Sequence, residues 1–191
     1  MDIINDPYTK SDLLSTLLRA NQEVNASFSR IPADQFFTQS AEGWSPGENL
    51  VHLIKSVSPV GKAMKLPRLA LTGMFGTAES PSVRYPELRQ RYVDALAAGG
   101  QATGQYVPQV EAVPPDPEQS KRSTLDKWNE VSERLSSALQ GWSEADLDKY
   151  VLPHPLIGKI TVREMLFFTL YHNLLHANEA RSFLNDPILT I

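Results

Sequence analysis

The sequence predicts an all-α protein, a four-helix bundle with a long irregular and short-helical connection between its second and third helices. Three observations carry this. Apolar residues recur at three- and four-residue steps over four long stretches, the period of a helix with one face on a core. Two of those stretches open with a capping-box pattern, Ser-x-x-Glu and Thr-x-x-Glu. Nowhere does an apolar-polar alternation run long enough to argue for a sheet. At 191 residues the chain is sized for one domain spanning 1–191. A chain of this length buries roughly 70% of its unfolded surface, so its core needs no covalent staple.

The first helix is expected over residues 11–30, with Leu13, Leu14, Leu17, Leu18, Val24 and Phe28 on its apolar side. The second begins at Ser45-Pro46-Gly47-Glu48, where Ser45 caps, Pro46 suits the first helical position and Glu48 reaches back to the cap. Leu50, Leu53, Ile54 and Val57 continue it. Pro59 and Gly61 then predict a kink or a thinning, and Pro67 a boundary. Residues 67–117 are the least regular part and are expected to run over the surface, with a short helix at 86–98 that ends at Gly99-Gly100. The apolar run 66–76 reads first as buried core, with a lid over a pocket or a homodimer surface as alternatives. Pro114, Pro115 and Pro117 predict extended chain before a third helix that starts near Ser120 or Ser123 and carries Leu125, Trp128, Val131, Leu135 and Leu139. Ser143 is expected to cap a short turn, and Pro153-His154-Pro155 with Gly158 to form a loop. The fourth helix opens at Thr161-Val162-Arg163-Glu164 and runs to about Phe183. Trp44, Trp128 and Trp142 read as structural, with Trp44 stapling the chain ahead of the second-helix cap.

Composition narrows the function. Cysteine is absent, which removes disulfides, thiolate metal sites and cysteine nucleophiles. A net charge of −4 gives no basic footprint for nucleic acid. No stretch approaches the length of a membrane span, and the N-terminus lacks the basic and apolar regions of a secretory signal, so a cytoplasmic location is expected.

The chemistry lies in the histidines. His172 and His176 are four residues apart on the fourth helix and fall about 40° apart on its wheel, neighbours close enough for two imidazoles to share one metal ion. The helix around them is apolar on almost every side, and burying two imidazoles without partners is costly. A third ligand must come from elsewhere. His52 is the natural candidate, yet the apolar arc of its helix is centred on Leu50, Ile54 and Val57, and periodicity places His52 on the opposite, exposed side. His154, flanked by prolines, reads as a solvated loop residue. Glu179 falls near His172 on the wheel and is a candidate base or orienting group, or simply a solvated side chain. Tyr171 and Asn173 are further candidates for contacts around the site, with structural roles as alternatives.

The string Trp44-Ser45-Pro46-Gly47-Glu48-Asn49-Leu50-Val51-His52, followed by Thr161-Val162-Arg163-Glu164 and then His172-x-x-x-His176, resembles the DinB-like (YfiT-type) superfamily from about residue 9 to 185. The resemblance implies that His52 joins His172 and His176 as ligands of a divalent metal, against the wheel. Zinc or nickel is expected foremost, with iron or manganese as alternatives, since imidazole suits all four. It further implies a metal-dependent enzyme acting on a small molecule, with an S-transferase using a low-molecular-weight thiol as the first expectation. A metal-dependent hydrolase is one alternative. A non-catalytic bundle that holds a small ligand or partner, a second copy of the chain included, is another.

Overall fold

Three of the long helices begin with the same reciprocal device: a hydroxyl accepts the backbone N–H three residues on, and the acid there accepts the N–H of the cap. Thr9 and Asp12 start α1 (Lys10–Ser29), Ser45 and Glu48 start α3 (Pro46–Ala63), and Thr161 and Glu164 start α8 (Val162–Phe183). The computed structural model describes residues 3–39, 43–109 and 113–191, so residues 1–2, 40–42 and 110–112, the last within the long connection, lie outside it. The fourth long helix is α6 (Pro117–Gln140), and between the four run α2 (Ala33–Phe36), α4 (Arg68–Phe75), α5 (Tyr85–Ala97), a single 3-10 turn at Gly104–Tyr106 and α7 (Glu144–Lys149).

The four long helices form a square. α1 packs on α6 and α8, and α3 packs on the same two, so α1 lies diagonally across from α3 and α6 from α8. Chain order therefore crosses the bundle twice, from α1 to α3 and from α6 to α8. The core runs down the middle through Leu13, Val24, Phe28, Leu50, Leu53, Trp128, Leu135, Leu139, Leu166 and Leu170, all buried. α5 and α7 cover further sides of α8. This leaves α8 buried nearly all round, from Val162 to Ala180.

Several expectations need correction. A hairpin exists: β1 (Val151–His154) pairs antiparallel with β2 (Gly158–Thr161) where a loop is expected. Four residues per strand, two of them flanked or occupied by proline, are too few to show alternation. Gly158 takes φ +78, which turns the chain into β2. The third long helix starts at Pro117, three residues ahead of Ser120. Pro117 sits in the first turn, where its missing N–H costs nothing, and the Asp116 carboxylate accepts from Gln119 N. α3 continues through Pro59 and Gly61 to Ala63, its packing on α6 and α8 outweighing the one intrahelical bond that Pro59 cannot make. The connection 67–117 is more helical than its composition suggests. The apolar run within it is not buried core, because α4 buries Leu71 alone while Leu69 is 84% and Met74 60% exposed.

Arg163 is 1% exposed and locks the start of α8. Its guanidinium donates to Asp148, Glu144 and the Tyr8 carbonyl. The Ser82 hydroxyl lies 2.5 Å from Asp148 and 2.7 Å from Thr161 Oγ1, tying the long connection to the same corner. Burial pushes the Asp148 carboxyl up, but the hydrogen bonds from Arg163 and Ser82 outweigh it and hold the group below the usual carboxylate range. A depressed carboxyl contributes stability above its unfolded pKa and loses it as pH falls through the folded pKa. Asp148→Asn is therefore expected to cost about 2 kcal/mol in urea unfolding at pH 7. The gap to wild type should narrow below about pH 4. A gap that stays constant with pH would show that the charge of Asp148 contributes nothing.

Candidate metal centre

α3 and α8 are adjacent in the square, and their caps set the helical phase that brings three imidazoles to one point. His52 Nε2 lies 3.0 Å from His172 Nε2, and His176 Nε2 lies 3.3 Å from that same atom. One nitrogen from each ring falls within 4.8 Å of the other two. All three residues are buried, and their rings meet edge to face with centroids 4.7 to 5.0 Å apart.

The outer nitrogens fix the tautomers. His52 Nδ1 lies 2.7 Å from the Tyr106 carbonyl, which can only accept, so Nδ1 carries the proton and Nε2 presents a lone pair. His176 Nδ1 lies 2.9 Å from Asn49 Oδ1 and 2.9 Å from Glu179 Oε2; a carboxylate also only accepts, so its Nε2 too presents a lone pair. His172 can bring at most one proton to the point where both lone pairs meet it. Protonating His52 or His172 is no remedy. Burial pushes His52 down to about 4, and it pushes His172 far below its usual value, with His176 and His52 adding to the effect.

This donor set fits a divalent cation. Three imidazole nitrogens at 2.0–2.1 Å in tetrahedral positions stand ~3.3 Å apart. The two spacings to His172, 3.0 and 3.3 Å, match that, and the outer N–H groups of His52 and His176, bonded to a carbonyl and a carboxylate, are in the arrangement that orients a metal-binding histidine.

The wheel therefore fails at His52. α3 has neighbours on two sides, and the long connection folds back over a third, with Lys55 Nζ donating to the Val107 carbonyl as His52 does to that of Tyr106. Glu179 is half exposed at the rim, holding His176 with Oε2. Trp44 is more than a staple, since its ring centroid lies 4.9 Å from that of His52 and 6.5 Å from that of His176. Trp128 and Trp142 are structural as expected, Trp142 donating to the Met64 carbonyl. Tyr171 and Asn173 do not reach the cluster: Tyr171 packs by Tyr92 and under Arg89, and Asn173 is buried within the bundle. His154 is buried instead of solvated, its ring edge-on to Phe168 at 4.2 Å. Asn49 went unnoticed in the sequence, although it sits one turn before His52.

A cavity of about 460 Å³ opens beside the imidazoles and extends to the hairpin. Its lining draws on Phe75, Tyr92 and Tyr106 from the long connection.

A family model described as the DinB superfamily matches residues 16–180. The chain belongs to the DinB superfamily. Among solved structures, this DinB superfamily member is similar to YfiT from Bacillus subtilis, described as "a probable metal-dependent hydrolase with an unusual four-helix bundle topology". The two share 16% identity over 93% of this chain and 89% of that one, with a TM-score of 0.58. At that identity the likeness speaks for the fold alone. A comparison with curated proteins gives no match.

Three Nε2 atoms sharing at most one proton are a strained arrangement in the metal-free chain. His172→Leu, which removes the shared partner at similar volume, is expected to raise the thermal midpoint of chelator-treated protein by a few degrees, about 1 to 2 kcal/mol. A lower midpoint would show that the imidazoles satisfy one another without a cation.

Proposed function

We propose that the protein is a divalent-metal-dependent enzyme that acts on a small organic molecule, with His52, His172 and His176 as the metal ligands. The observation that carries this is the pair of fixed tautomers, which aim lone pairs from His52 and His176 at His172 with too few protons to join them. Zinc or nickel suits three imidazoles best, with iron and manganese as alternatives. A dication held by these three imidazoles would supply Lewis acidity, able to acidify a water or a thiol or to polarise a carbonyl oxygen.

The chain's own residues supply the rest. Tyr106 and Asn49 hold the rings of His52 and His176 in register. Glu179 steadies His176 with Oε2 and can take up a proton from an incoming nucleophile on its other oxygen, at the rim where water reaches it. Trp44 and Phe168 flank the imidazoles and keep bulk water from their far sides. Transfer of a low-molecular-weight thiol is the reaction we favour, from the family resemblance. Hydrolysis is the second reading, favoured by the description of the YfiT fold relative.

Untagged protein purified without chelator or added metal is expected to carry close to one ion per chain by elemental analysis, and His172→Ala/His176→Ala to carry none. Thiol-transfer and hydrolysis screens on the loaded protein would then separate the two reactions. Wild type that is metal-free and also fails to bind zinc or nickel on titration would overturn the enzyme and leave a bundle that binds small ligands. Ligand stabilisation that persists after chelation would be the mark of that bundle.

A further inference from the structure

The cavity beside the imidazoles has a chemical character of its own. Its walls are the side chains of Phe75, Tyr92, Leu96, Leu152, Leu156 and Phe168, among others, and no lysine or arginine lines it among the described residues. Glu179 is the one carboxylate in that lining, and it stands beside His176. An anionic substrate would lose its hydration there against apolar walls without a countercharge, whereas an uncharged one would lose little.

At the other end stands His154. It is 6% exposed, on β1, and its ring lines the cavity. Its Nδ1 lies 3.2 Å from Leu156 N and 3.3 Å from Ile157 N, both of which can only donate. The ring proton must therefore sit on Nε2, and with Nδ1 committed to the hairpin, Nε2–H is the hydrogen-bonding group that His154 has left to offer. A single phenyl separates it from the metal ligands, because Phe168 meets His154 edge-on at 4.2 Å and stacks on His172 at 4.9 Å. Tyr92 also packs edge-on against both imidazoles, at 5.8 and 6.2 Å. The cavity thus has imidazole groups on both sides of a mostly hydrocarbon wall, in which the uncharged Ser56, Gln101, Thr103 and Gln105 are the further polar side chains.

We propose that this site takes an uncharged, largely hydrophobic molecule carrying a carbonyl or ether oxygen, and that His154 selects it by donating Nε2–H to that oxygen. This builds on the enzymatic reading above, since it names the substrate class of the same site. Burial pushes His154 down to about 4, so the ring stays neutral and the donor unchanged across the ordinary working range. The hydrogen bond orients the substrate along the apolar channel and places its other end at the histidine cluster. Phosphorylated and multiply charged metabolites are excluded.

Three matched probes test this: benzophenone, an uncharged ketone; diphenylmethane, which lacks the oxygen; and 4-benzoylbenzoate, the anion. Binding is followed by tryptophan fluorescence, since Trp44 borders the cavity, on the full chain treated with chelator so that no carboxylate can reach a metal. Benzophenone is expected to bind roughly five- to tenfold tighter than diphenylmethane. The anion should bind weakest. His154→Phe, and His154→Asn, which keeps an acceptor for the hairpin, are both expected to erase the preference for the ketone while leaving diphenylmethane affinity within about twofold. Equal binding of the two neutral probes to wild type, a ketone preference that survives in both variants, or tightest binding by the anion would each overturn the proposal. Metal content is measured on the same preparation without chelator. One ion per chain with no ketone preference sinks this inference and spares the metalloenzyme; a ketone preference in protein that binds no metal does the reverse.

Discussion

Arg163 enters α8 at its first turn with its guanidinium shut away from solvent, and every direction in which it donates leads to a different part of the chain: α7 through Glu144 and Asp148, and the segment ahead of α1 through Tyr8. A hydrocarbon of the same volume could fill that space and hold the helix in place. It would not fix the helix's rotation, because dispersion is indifferent to a few tens of degrees and hydrogen bonds are not. Rotation matters here, since His172 rises from the same helix nine residues on, about 14 Å along its axis. A small error in phase at the start of α8 would turn the imidazoles away from α3.

The cluster that this alignment produces trades internal satisfaction for affinity. Buried polar groups normally find partners inside the fold. His52 and His176 do so with their outer nitrogens and leave the inner ones pointing at a shared space. The same burial that keeps protons off His52 and His172 keeps the lone pair of His52 available at neutral pH. The adjoining cavity extends the low-dielectric surroundings, so any charge developed there is poorly screened and strongly felt.

The long helices were legible because their signals are local: periodicity, Ser45 with Glu48, Thr161 with Glu164, and the four-residue spacing of His172 and His176. What escaped depends on contacts distant in sequence. A wheel weighs residues against a single buried side, whereas α3 meets α6, α8 and the returning connection, so His52 is buried on a face that Lys55 and Ser56 make look wet. The resemblance to a family placed His52 beside His172 and His176 where periodicity could not. His154 reads as solvated because prolines surround it, yet antiparallel pairing with Gly158 turns its side chain in against Phe168. The run from Leu66 to Gly76 was apolar enough for core, but a two-turn helix held at the surface by the hairpin has only one side to bury.

The two outer bonds of the cluster differ in how they withstand mutation over evolutionary time. His176 relies on the side chains of Asn49 and Glu179, and a single codon change at either removes a partner. His52 relies on the main chain at Tyr106. Every amino acid, proline included, brings the same carbonyl, so substitutions at 106 can reshape the cavity wall while the orientation of His52 is inherited unchanged. The aromatic ring at that position is free to drift toward new ligands, and the bond beneath it is vulnerable only to insertions or deletions that move the backbone itself.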